Sequence, residues 1–106
     1  MVARILVVAS DLMLASRAQE SLWAAGYEVQ VSGALPEEIS ADAIVCDLDA
    51  VDAAAVAAAE TPSLGFYSHV EVETRKQAEK AGIDVVVPRS RMARELPDLV
   101  ERLLAG

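Results

Sequence analysis

Two short runs of consecutive apolar residues constrain this chain most, Ile5-Leu6-Val7-Val8-Ala9 and Ala43-Ile44-Val45-Cys46. Neither shows the polar alternation of a strand with one wet face. Each therefore reads as a strand buried on both faces, as in the middle of a parallel sheet. Parallel strands need crossover connections, and helix-like segments stand between the apolar runs to supply them. The second run ends on a carboxylate, Asp47. A charged residue there falls at the rim of the sheet, where open α/β folds place their sites.

The remaining segments fit the same plan. The first strand spans Arg4 to Ala9, and Ser10 or Asp11 caps a helix that runs to about Ala25 and stops at Gly26. Leu14, Ala18, Leu22 and Ala25 repeat at helical spacing and are expected to face the sheet. Tyr27 to Ser32 alternates as an edge strand does. From Gly33 to Ala41 there is room only for about one helical turn, at Pro36-Glu37-Glu38-Ile39, so the second helix is shortened to about a turn. Ala43 to Asp47 is the third strand, Val51 to Glu60 an alanine-rich helix ended by Thr61-Pro62, and Leu64 to Tyr67 the fourth strand. Glu71 to Ala81 predicts a helix with Glu71 placed to pair with Arg75 and Gly82 beyond its end. Asp84 to Val87 is the fifth strand, and Pro97 suits the first turn of a last helix through Leu104. The expectation is one α/β domain over residues 1–106, a flavodoxin-like (βα)5 fold with a parallel five-stranded sheet in order 2-1-3-4-5.

Composition narrows the function. At 54% hydrophobic but only 4% aromatic, with much of the apolar content alanine, the chain predicts a folded core built from small helix faces. A net charge of −8 argues against nucleic-acid binding, which needs a basic footprint. No apolar stretch approaches a membrane span and no leader pattern is visible, so a cytoplasmic protein without membrane contact is expected. The single Cys46 excludes an internal disulfide and a cysteine zinc site, and reads as a small core residue. No Lys or Arg lies between Arg17 and Arg75, whereas the remaining third is rich in them. That polarity suits a charged protein partner.

Ile5-Leu6-Val7-Val8 with its following turn, Arg17 followed by Gly26-Tyr27-Glu28-Val29, Asp42-Ala43-Ile44-Val45-Cys46-Asp47-Leu48-Asp49, and Ala78-Glu79-Lys80-Ala81-Gly82-Ile83-Asp84 together resemble the receiver domains of two-component signalling. The resemblance covers nearly the whole chain. It implies a phosphoacceptor aspartate at Asp47 and a phosphoryl-binding hydroxyl at Ser68. The family's acidic pair, which helps hold Mg²⁺, falls on Ala9 and Ser10, leaving Asp11 as the nearby carboxylate. The family's lysine falls on Pro88, with Arg89 next to it. Mg²⁺ and a cation offset the repulsion between a carboxylate and an incoming phosphoryl group, so these departures imply a degenerate pseudo-receiver whose vestigial site is Asp47, Ser68 and Arg89.

Other readings stay open beside that one. A variant receiver would use Asp11, Asp47, Ser68 and Arg89, with Asp11 and Asp47 as weak Mg²⁺ ligands. Arg89 and Arg91 would suit a small anion at the rim, although the acidic surroundings favour an internal pair between Arg89 and Asp47. Ser68-His69 invites a hydrolase, but the residues are adjacent and no nucleophile elbow is present; His69 is expected to cap a helix or to sit beside Asp47. Trp23 covers the lean core or anchors a partner, with core cover preferred. Arg91-Met92-Ala93-Arg94 is the expected contact segment. The predicted protein is a stand-alone, non-enzymatic signalling module without a cofactor, acting on a protein partner or as a homodimer.

Overall fold

A computed structural model describes residues 2–68 and 72–106, Val72 by its backbone alone. Among these residues the element order is β1 (Arg4–Val8), α1 (Leu12–Ala24), β2 (Glu28–Ser32), β3 (Ala43–Asp47), α2 (Ala53–Ala58), β4 (Ser63–Tyr67), α3 (Val72–Ala81), β5 (Val85–Pro88) and α4 (Arg89–Ala105). All strand pairs are parallel, in the order β2-β1-β3-β4-β5. The apolar runs occupy the interior positions, as their lack of alternation requires.

Because side chains alternate across a strand, the sheet feeds two cores. Ile5, Val7, Val45, Leu64 and Phe66 pack beneath α1 and α4, against Leu14, Leu22, Met92, Leu96 and Val100. Leu6, Val8, Ile44 and Cys46 pack on the opposite face with Val56, Ala78 and Ile83. Cys46 is fully buried, and that burial pushes its thiol up to about 12, so it is the inert core residue expected.

Local chemistry sets the helix ends. The Asp11 carboxylate accepts from the amides of Met13 and Leu14 at 3.0 and 3.2 Å, starting α1. At its other end Gly26 adopts φ 96°, the Gly26 amide donates to Trp23 O at 2.9 Å and the Tyr27 amide to Leu22 O at 3.0 Å. This is the double bond pattern that satisfies a helix's last carbonyls. Ala25 is the capping residue there and is exposed, so it does not face the sheet as its spacing suggested. Asp52 caps α2, which is shorter than the alanine-rich stretch around it.

Two connections differ from expectation. Between β2 and β3 the shortened segment contains bends and no helical turn, and Leu35, Ile39 and Ala41 pack on the second core directly. The last helix begins at Arg89, so Pro97 lies in its middle. Pro97 removes one backbone donor, yet Met92, Leu96, Leu99, Val100 and Leu103 form a buried stripe that runs through it. Burial of that stripe outweighs one lost hydrogen bond. The proposed Glu71–Arg75 pair lies outside the described residues; Arg75 meets Glu79 at 3.1 Å.

Candidate functional site

Strand register places the site. Asp47 pairs with Phe66 across β3 and β4, and Tyr67 with Pro88 across β4 and β5. Asp47, Ser68 and Arg89 therefore leave the sheet along one carboxyl edge, with Asp11 at the head of α1 beside them. The expected residues do converge, but their pairings are new.

Asp47 is half-buried, and its Oδ1 accepts the Asp49 amide at 2.9 Å. Its carbonyl accepts from the amides of Ala50 and Val51, both at 3.0 Å, which turns the chain sharply after the strand. Burial raises the Asp47 carboxyl above its ordinary value. The Asp49 amide and the Arg89 charge pull it back, while the charges of Asp49 and Asp11 push it further up.

Arg89 does not pair with Asp47. Its guanidinium lies 3.2 Å from Oδ2 of Asp11. The reason is the packing of α4 against α1, which brings the first residue of one helix to the cap of the other. Oδ1 of Asp11 is committed to the cap, so Oδ2 is left to face the guanidinium. The Leu14 amide contributes most to holding the Asp11 carboxyl below its ordinary value; the Met13 amide and Arg89 add to this, against a smaller opposing effect of burial.

Nor does Ser68 hold Asp47. Both its hydroxyl and its amide donate to Oδ2 of Asp49, at 2.6 and 3.0 Å. Asp49 was not singled out in the sequence. The available signal was a second carboxylate in the turn directly after Asp47, close enough in sequence to return to the rim. His69 lies outside the described residues, and with it the hydrolase and cap readings.

Arg91 and Arg94 both turn to Glu95, at 3.3 and 3.9 Å, so Arg89 and Arg91 serve different carboxylates and do not form one anion site. Met92 is only 2% exposed and belongs to the core, because it falls on the buried stripe of α4. It is no contact residue. Trp23 is 54% exposed beside the edge strand, one position off the buried Leu22, and does not cover the core.

A divalent cation fits this arrangement poorly. Asp11 spends both oxygens on the cap and on Arg89, Ala9 offers no side-chain ligand, and among the described residues no group of three His, Cys, Asp or Glu could hold a metal ion. A Mg²⁺ ion here would have to rest chiefly on Asp47 and take most of its ligands from water.

No family model matches the sequence, and no curated protein matches it. Solved structures do. A response regulator from Chloroflexus aurantiacus J-10-fl superposes with a TM-score of 0.86 over 100% of both chains at 20% identity. A CheY-like receiver domain protein from Methanospirillum hungatei JF-1 gives 0.85 at 17% identity, covering 99% of this chain and 95% of that one. The HemR receiver domain from Leptospira biflexa gives 0.82 at 22% identity, with 98% and 95% covered. Sheet order, rim position and these superpositions agree: the chain has the fold of CheY-like response-regulator receiver domains.

Proposed function

We propose that this chain is a pseudo-receiver, a signalling module that works through protein contacts without standard phosphorylation of Asp47. The observation that carries the reading is the closed set of pairs at the rim. Arg89 is spent on Asp11, and Ser68 is spent on Asp49. The groups that would receive a phosphoryl oxygen are thus already satisfied by carboxylates. Asp47 is left among Asp11 and Asp49, a setting that repels an anionic donor. The net charge of −8 supports a protein partner or a second copy over nucleic acid. Arg94 and Trp23 are the exposed residues best suited to such a contact. In this reading the protein is cytoplasmic and is not an enzyme; among the described residues no helix is long and apolar enough to cross a membrane.

The test is treatment with acetyl phosphate and Mg²⁺ followed by intact-mass measurement. The expected result is no stoichiometric adduct; an adduct that maps to Asp47 overturns the reading. One observation favours a phosphorylatable variant: Oδ2 of Asp47 has no partner among the described residues. Beryllofluoride with Mg²⁺ would then shift the amide resonances of Asp11, Asp47, Ser68 and Arg89 together.

A further inference from the structure

A groove of about 340 Å³ opens between α1 and α4, on the flank of the molecule below the rim. Its existence follows from small side chains where the two helices face each other, Ala18 on α1 and Ala93 on α4. Leu14, Met92 and Leu96 line it from the core side. Arg17, Arg89 and Asp11 supply its charges. The volume lies within the range of small-molecule sites, and an apolar wall with a few polar groups is their usual lining.

Charge selects the occupant. The chain carries −8 overall, yet the charged side chains in this groove are two arginines and one aspartate. Arg89 and Asp11 neutralise each other at 3.2 Å. Arg17 has no carboxylate partner among the described residues, although Arg4, Arg75, Arg89, Arg91 and Arg94 each have one. Among the described residues Arg102 is the other arginine without a carboxylate partner, and it does not line the groove. An unpaired guanidinium at the lip of an apolar slot matches a carboxylate head followed by a hydrocarbon body. Met92 and the exposed Met13 give the walls the adaptability that an unbranched chain needs.

We propose that the α1–α4 groove binds a small monocarboxylate amphiphile, its head on Arg17 and its apolar body against Leu14, Ala18, Met92 and Leu96. The groove shares the Arg89–Asp11 pair with the rim, but Asp47 does not line it and the head-group contact is Arg17.

Titration of the ¹⁵N-labelled protein with octanoate tests this. Saturable shifts are expected at the amides of Arg17, Ala18, Met92 and Ala93. Arg17→Gln should weaken binding about tenfold, equivalent to about 1.4 kcal/mol, while Arg102→Gln should leave it unchanged. Octylamine, with the opposite head charge, should give no saturable shift. Arg17 is exposed, so the variant keeps the fold, which its own spectrum verifies. The proposal is overturned if octanoate shifts do not saturate, if Arg17→Gln binds as tightly as the parent, or if octylamine binds equally well. Shifts centred on the exposed Leu12 and Met13 with no dependence on Arg17 would also overturn it, marking the flank as a macromolecular contact.

Discussion

Ser68 gives both its amide and its hydroxyl hydrogen to one oxygen of Asp49, at 3.0 and 2.6 Å, and so ties the end of β4 to the turn after β3. A charged acceptor with two donors is a strong local clasp even at an exposed edge. Asp49→Ala should cost about 1 kcal/mol, measured as a lower urea midpoint, with a large shift of the Ser68 amide resonance. An unchanged Ser68 amide would show that the clasp is not held in solution.

Asp11 joins two roles that substitution can separate. Asparagine keeps a capping oxygen but loses the charge, whereas alanine loses both. Asp11→Ala should therefore lower the thermal midpoint more than Asp11→Asn, and Arg89→Gln should match the asparagine variant. The Asp11 carboxyl sits below its ordinary 3.8, so its contribution is present above pH 3.8 and fades as pH falls through the folded value. An NMR titration midpoint above 3.8 for Asp11 would contradict this.

Asp47 has the opposite sign. Burial raises its carboxyl above the ordinary 3.8, so ionising it costs the folded state more than the unfolded one. Its unfavourable effect is missing below pH 3.8 and grows as pH rises through the folded value. Asp47→Asn keeps an acceptor for the Asp49 amide and should raise the urea midpoint at pH 7, with the gain vanishing near pH 3. A lower midpoint at pH 7 would mean that the carboxylate is held by a cation.

Gly65 in β4 lies against Leu48, and a Cβ there would stand 2.8 Å from Leu48 Cγ and Cδ1. Gly65→Ala should destabilise by about 1–3 kcal/mol through overpacking. Combining it with Leu48→Ala should cost less than the sum of the two single changes, because truncating Leu48 removes the clash and the new Cβ fills part of the space it leaves. Additive urea-denaturation energies would refute the contact.

Trp23, with more than half its surface in water, should be dispensable for folding. Trp23→Ala is expected to change stability by less than about 1 kcal/mol, while any self-association seen by sedimentation should weaken. A large loss of stability with unchanged association would place the indole in the fold and not in a contact.

The sheet was readable because β1 and β3 are uninterrupted apolar runs, and only a central parallel strand accounts for two of them in 106 residues. The helix caps at Asp11 and Gly26 were readable for the same local reason. Pro97 misled because proline's preference for a helix start is weaker than a buried stripe extending on both sides of it. Asp47, Ser68 and Arg89 do lie along one sheet edge, and their partners differ from the expected ones. Which carboxylate meets Arg89 depends on how α4 packs on α1, and that long-range geometry leaves no mark in the spacing of charges. Asp49 escaped notice since a polar residue just past a strand is ordinary in loops.

The segment between β2 and β3 makes the two sides of the sheet unlike. Helices of 13 and 17 residues roof one face, whereas the other has helices of 6 and 10 residues and a strap fastened by Leu35, Ile39 and Ala41. The strap rests on three partly buried side chains and has no helical hydrogen bonds of its own, so opening is expected to be cheapest there. Breathing of this molecule is accordingly expected to be one-sided, with amide exchange faster in the strap at 33–42 than in the helix pair that covers Ile5 and Val7.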